Sequence, residues 1–258
     1  MLANFYDVII IGAGPAGLSA AVAADEHNIR TLLVEREADI GGLLNQCVHI
    51  EAVVLTFVTE IVKQPFGFSL TLVNAEGIVN TSCKSIVFAS GNRERSENLN
   101  ISISENTKGP VTDQDYMTML DGVFCCGNAL HINNLVDYAS ESGEAAGHAA
   151  ARWAITGWIN AHRNGSRTFA EITTDESLEY IVPQRLNVGK IISPTTFYFR
   201  SKREMEKSLL SVTLNGNEIY RKVYPRFCPP EMEKLVLNFE ELSIENGSTV
   251  NFSLLQAS

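Results

Sequence analysis

One stretch near the start of the chain restricts the fold more than any other. Gly12-Ala13-Gly14-Pro15-Ala16-Gly17 follows a short β-branched run, Tyr6 to Ile11, and opens an alanine-rich segment, Pro15 to Ala24. Apolar alternation ending in glycine reads as a strand, and the alanines read as a helix begun by proline at its first turn. A second apolar run, Thr31 to Val34, ends in Glu35 and completes a β-α-β unit. In such a unit the first glycine permits a tight turn and the second lets a pyrophosphate approach the backbone. The third allows helix and strand to pack closely, and the acidic residue takes ribose hydroxyls. The unpaired N–H groups of the helix start face the phosphates. This pattern predicts a dinucleotide site at Gly12, Gly14, Pro15, Ala16, Gly17, Glu35 and Arg36, without distinguishing one dinucleotide from another.

Charge and cysteine usage exclude other classes. The 258 residues carry a formal net charge of -10, so no basic stripe is available for nucleic acid. No apolar run is long enough to span a bilayer, and the N-terminal residues lack a signal-peptide layout, so a cytoplasmic protein is expected. The five cysteines, Cys47, Cys83, Cys125, Cys126 and Cys228, contain no CxxC pair and suggest neither zinc nor a redox dithiol. Cys125 and Cys126 lie in an apolar run and read as small core residues rather than a vicinal disulfide.

Further along, Val53 to Val62 reads as a strand, and Phe68 to Ser82 as a hairpin turning at Asn74 to Gly77. Ser85 to Ala89 reads as a separate strand closed by Ser90-Gly91. A polar connector covers 92–112. A compact strand, Gly122 to Cys126, then precedes a helix from Ser140 to Ile155, whose Gly143 and Gly147 recur at helical spacing and predict close packing. Trp153 and Trp158 read as core on this helix. Beyond Thr156 short β-rich stretches alternate with turn signals, the plainest being Asn215-Gly216, and predict a small antiparallel β domain over 175–258.

Four ordered signatures resemble the FAD-binding half of the pyridine nucleotide-disulfide oxidoreductase superfamily. They are the GxGPAG turn, Gly41-Gly42, Ala89-Ser90-Gly91, and Gly122-Val-Phe-Cys-Cys-Gly-Asn128. Gly41 to His49, Ser90 to Arg95, Gly127 to His131 and Leu135 to Tyr138 narrow the resemblance to one branch. So do Tyr180 to Arg185, Phe197 to Arg200 and Pro230 to Lys234 in the tail. That branch is the FAD/NAD(P)-dependent oxidoreductase subunit that accompanies anaerobic-type glycerol-3-phosphate dehydrogenase. The resemblance implies FAD as cofactor. It adds Gly42, Ile61, Ala89, Ser90, Gly91, Gly127, Asn128, Leu135 and Val136 to the cofactor-binding residues. Ile61 would pass the adenine. Asn128 stands where most of the superfamily has aspartate, and the helix opening at Leu135 to Tyr138 would face the flavin.

The departure is as informative. The NAD(P)H domain that relatives carry between the positions of Gly91 and Gly122 has no counterpart beyond the polar connector, and no second glycine fingerprint occurs. The expected architecture is therefore α/β: a Rossmann-like FAD-binding domain over 1–162, with a parallel sheet and an antiparallel meander, followed by a small all-β C-terminal domain. The expected activity is that of a flavoprotein oxidoreductase fed by a dehydrogenase partner subunit or a small-molecule electron donor. Two alternatives stand beside it: a non-catalytic FAD-binding assembly module, and an inactive deletion variant of a larger enzyme. Cys47, His49 and His131 are weak catalytic candidates, and Arg93 and Arg95 would reach the pyrophosphate or face solvent.

Overall fold

The computed structural model describes residues 2–40, 48–91, 99–157, 159, 166–189 and 194–256. The chain divides into two compact units, residues 1–110 with 115–165, and residues 111–114 with 166–258.

The first unit is built on a seven-stranded sheet. Strand β1 (Phe5–Ile11) runs parallel to β2 (Thr31–Val34) on one side and to β6 (Gly77–Phe88) on the other. Beyond β2 lies β3 (Ile50–Val53), also parallel, and β7 (Val123–Cys125) pairs with the end of β6. β1 and β2 are buried almost throughout, as expected of parallel strands covered on their faces. Helices α1 (Pro15–Asp25) and α2 (Val136–Arg152) pack against each other and against this sheet. Their contact depends on missing side chains: a Cβ on Gly143 would lie 2.0 Å from the Ala16 carbonyl oxygen, and one on Gly147 2.3 Å from that of Ala20. The helical spacing of these two glycines thus does what it predicts.

Strand β6 departs from expectation. The hairpin strand ending at Ser82 and the separate strand starting at Ser85 are one twelve-residue strand. Its first half pairs antiparallel with β5 (Gly67–Asn74), which pairs with β4 (Phe57–Gln64). Its second half enters the parallel sheet beside β1 and β7. The polar Lys84 at the change of partner looks like a break in sequence, yet its ammonium is held by Asp7 at 2.8 Å and the strand continues. The single strand expected over Val53 to Val62 is two. Leu55 takes φ +50°, its N–H donates to the Glu37 carbonyl, and the Thr56 N–H donates to the Glu35 carbonyl, which turns the chain between β3 and β4.

The second unit has two sheets. One has the order β10-β8-β15-β12-β13, formed by Arg185–Asn187, Phe169–Thr174, Thr249–Gln256, Met205–Leu214 and Asn217–Phe227. The other joins β14 (Glu233–Leu237), β11 (Thr195–Ser201) and β9 (Leu178–Val182). All pairs are antiparallel except β8 with β15, which corrects the expectation of a purely antiparallel unit. Side chains alternate along β11, and Phe197 and Phe199 meet Phe252 of β15 at ring-centroid distances of 4.9 and 6.4 Å, which packs one sheet on the other. The Asn215-Gly216 turn joins β12 to β13 with both residues at positive φ, 49° and 85°, the geometry such a two-residue hairpin requires.

A short strap, Val111–Gln114, belongs to this unit although the chain around it does not. The Thr112 N–H donates to Gln184 Oε1, the Gln184 N–H donates back to the Thr112 carbonyl, and Gln114 exchanges two bonds with the Asn187 backbone. Asp113, 2% exposed, pairs with Arg167 at 3.1 Å.

Candidate functional site

The glycine turn after β1 is fixed by its surroundings. Gly12 has φ +104°, and a Cβ there would come within 2.7 Å of the Ala89 carbonyl. A Cβ on Gly17 would sit 1.8 Å from the Gly12 oxygen. Gly14 is different: it is the N-cap of α1, its backbone is extended, and a Cβ would meet no atom of the described residues within 4 Å. Space, not strain or packing, distinguishes this position. Glu35 closes the turn from the side, accepting from the Ala13 N–H at 2.6 Å and the Glu37 N–H at 2.9 Å.

A cavity of about 410 Å³ opens over this turn. Among the expected residues, Gly12, Gly14, Pro15, Ala16, Glu35 and Arg36 line it from the first β-α-β unit. Ala89, Ser90 and Gly91 line it from the end of β6, and Asn128, Leu135 and Val136 from the start of α2 and the loop before it. Residues more than a hundred positions apart thus meet at one wall. Gly17 and Gly127 lie behind it: Gly17 lets α1 approach the turn, and a Cβ on Gly127 (φ +59°) would lie 2.6 Å from Cβ of Ala16. Ile61 is not in the lining; Thr56 and Val58 take that side. The turn at Leu55 starts β4 later than the sequence suggests, so an earlier part of the strand meets the cavity. Glu37, Asn133 and Asn134 also line the cavity unanticipated. Asn133 carries a signal only in hindsight, as an amide five residues after Asn128 in a short loop.

Neither helix at this cavity has a side-chain cap. Gly14 and Leu135 occupy the N-cap positions of α1 and α2, and neither makes a side-chain cap bond. The orphan N–H groups and the positive ends of both helix dipoles favour an anionic ligand here. The Ser90 hydroxyl, on the same wall, is buried and has no hydrogen-bond partner among the described residues.

The two described catalytic candidates, His49 and His131, do not line the cavity. His49 accounts for itself away from the cavity lining: its N–H and Nδ1 both lie on Asp25 Oδ1, at 2.8 and 3.2 Å, tying β3 to the end of α1. His131 is 1% exposed and is not among the lining residues. Cys47, Gly42, Arg93, Arg95 and Trp158 lie outside the described residues. Cys125 and Cys126 are free and buried in or beside β7, as their apolar context predicts. Burial pushes the Cys126 thiol up to about 12 and the Cys125 thiol well above its ordinary value. Since the thiolate is the nucleophile, neither should react with a thiol reagent in the native protein at neutral pH. Ellman titration before and after unfolding should show both only in denaturant.

The N-terminal β-α-β unit also matches known proteins in sequence. Residues 7–65 match the family described as "FAD dependent oxidoreductase". That match spans the glycine turn, α1 and the strands from β1 to β4. The soluble pyridine nucleotide transhydrogenase of Hahella chejuensis is 38% identical over 64 residues, covering 25% of this chain and 13% of that protein. The thioredoxin reductase of Bacillus subtilis is 55% identical over 42 residues, covering 16% and 13%. The chain thus matches less than a fifth of the length of these curated relatives. A solved thioredoxin reductase from Gloeobacter violaceus aligns over 59% of this chain and 96% of its own with 12% identity and a TM-score of 0.49.

An FAD fits this cavity on three features of the described residues. Gly14 leaves room for a pyrophosphate, two uncapped helix starts offer N–H donors, and Ser90 holds an unsatisfied hydroxyl at the wall. Among the described residues no helix is long and apolar enough to cross a membrane.

Proposed function

We propose that the chain is a flavoprotein oxidoreductase that holds FAD non-covalently in this cavity and exchanges electrons with a partner subunit or an external small-molecule donor. The meeting of two uncapped helix N-termini at an open Gly14 carries the reading. Gly12, Gly14, Pro15 and Ala16 would hold the pyrophosphate and Glu35 the adenosine ribose, with Ala89 to Gly91, Asn128, Leu135 and Val136 along the remainder. When bound, FAD supplies one- and two-electron redox chemistry, and the protein supplies binding, orientation and electrostatics. The α2 start contributes partial positive charge, favouring negative charge that develops near it on reduction. Ile132, Leu135 and Val136 are 53%, 52% and 63% exposed, an apolar cluster suited to exclude water once a ring system covers it.

The likeness to the subunit that accompanies anaerobic-type glycerol-3-phosphate dehydrogenase supports a partner-fed role in an intracellular complex. With no second glycine fingerprint in the sequence, the reductant would come from outside this fold. The test is an absorption spectrum of purified protein, identification of released cofactor, and anaerobic addition of NADH or NADPH. Bound FAD that bleaches supports direct reduction by nicotinamide. FAD that stays oxidised until a partner subunit is added supports the partner-fed form. FAD that no donor reduces leaves a structural flavin module, and protein that takes up no FAD on reconstitution overturns the reading.

A further inference from the structure

We propose that Asn128 meets the cofactor as a hydrogen-bond donor, to a phosphate oxygen, and that Asn133 is the positioning residue that fixes it so. The proposal rests on the cavity being an FAD site. An asparagine amide offers an acceptor and two donors, and its surroundings decide which end faces a ligand. Here the acceptor end is used: Asn128 Oδ1 accepts from the Asn133 backbone N–H at 2.9 Å and from Asn133 Nδ2 at 3.3 Å. The backbone bond sets the orientation, because a flipped amide would oppose two N–H donors.

Asn133 is itself anchored, donating from Nδ2 to the His131 carbonyl at 2.9 Å. The turn carrying Asn128 is pinned from α2: the Gly127 N–H donates to Ser142 Oγ at 2.9 Å, and that hydroxyl donates to the Ala139 carbonyl at 2.8 Å. Asn128 is exposed on the cavity wall. The group it turns toward a ligand is Nδ2, which can only donate. Among the polar groups of a flavin dinucleotide, the phosphate oxygens are acceptors without a hydrogen to offer, and a charged acceptor strengthens the bond. An aspartate at this position could only accept at neutral pH. The polarity of this contact is therefore reversed in the present chain.

The test measures FAD affinity by flavin fluorescence, with melting temperature as the control for folding, on wild type, Asn128→Asp, Asn128→Ala and Asn133→Ala. A carboxylate keeps both bonds from Asn133, so Asn128→Asp should melt like wild type while its FAD dissociation constant rises about tenfold or more at neutral pH. The loss should recover on acidification, when the protonated carboxyl donates. Glu35, Arg36 and Glu37 in the cavity wall and Asp137 in the first turn of α2 are common to variant and wild type, so the wild-type pH profile isolates position 128. Asn128→Ala should lose several-fold without that recovery. Asn133→Ala keeps the backbone bond and removes only the side-chain one, so it should lose less than Asn128→Ala, and the double variant should lose no more than Asn128→Ala alone. An Asn128→Asp protein that binds FAD as tightly as wild type at neutral pH overturns the donor assignment. A wild type that binds no FAD overturns the underlying cofactor reading instead.

Discussion

Gly14→Val is expected to leave the protein folded and to abolish FAD binding, whereas Gly17→Val should destroy both. The two glycines lie three residues apart in one motif but are constrained from opposite sides. At Gly14 the backbone has φ -67° and ψ -179°, which any residue adopts, and an added Cβ meets no atom of the described residues within 4 Å. Replacing an N-cap glycine by valine costs at most about 1 kcal/mol in helix stability. The valine methyls would occupy the volume in which the pyrophosphate approaches the α1 amides. A hundredfold or greater loss of FAD affinity follows, about 2.7 kcal/mol or more. At Gly17 the added carbon would lie 1.8 Å from the Gly12 oxygen, so α1 would be forced off the sheet. Calorimetry and flavin titration on the two variants separate these outcomes. A Gly14→Val protein with wild-type FAD affinity would mean that the pyrophosphate lies elsewhere.

The second large effect is expected far from the cofactor residues, at Asp113. Its carboxylate is buried with the Arg167 guanidinium, whose own side chain is only 11% exposed and stacks 5.1 Å from the Phe169 ring centroid. Asp113→Ala leaves that cation in a poorly solvated place without this partner. Breaking a buried pair from one side costs about 3–5 kcal/mol, whereas removing both charges costs less. Asp113→Ala should therefore lower the stability of the second unit by that amount, and Asp113→Ala/Arg167→Met should regain part of it. Denaturant unfolding followed by near-ultraviolet circular dichroism reads the aromatic core of this unit, Phe197, Phe199, Phe227 and Phe252. Equal midpoints for wild type and Asp113→Ala would show that the strap contributes nothing to stability.

The parts of this fold legible in sequence are those governed by local rules. Gly12, Gly14 and Gly17, the acid at Glu35 and the Asn215-Gly216 hairpin each follow from backbone conformation within a few residues. Gly143 and Gly147 follow from helical periodicity. What escaped depends on distant partners. Lys84 within β6 is matched by Asp7 from the neighbouring strand, and the cavity wall at Thr56 and Val58 follows a turn whose Leu55 and Thr56 N–H groups donate to the backbone of Glu37 and Glu35. The strap at Val111–Gln114 begins at the end of the 92–112 segment, whose polar composition reads as a connector. Its polarity serves Gln184, Asn187 and Arg167, residues that only the folded chain brings to it. Asn133 escaped for the same reason, since its function lies in the bond to Asn128.

Strand β15 occupies the middle of its sheet, between β8 and β12. Both neighbours precede it in the chain, β8 by more than seventy residues. During synthesis the two halves of the sheet therefore emerge with facing, unsatisfied edges and no means of joining each other directly. The ribosome must deliver residues 249–256 before the gap closes, so the five-stranded sheet cannot be completed until its central strand arrives. A chain interrupted just before this segment would lack the centre of the sheet rather than its rim. It would present two open edges to the quality-control machinery at once.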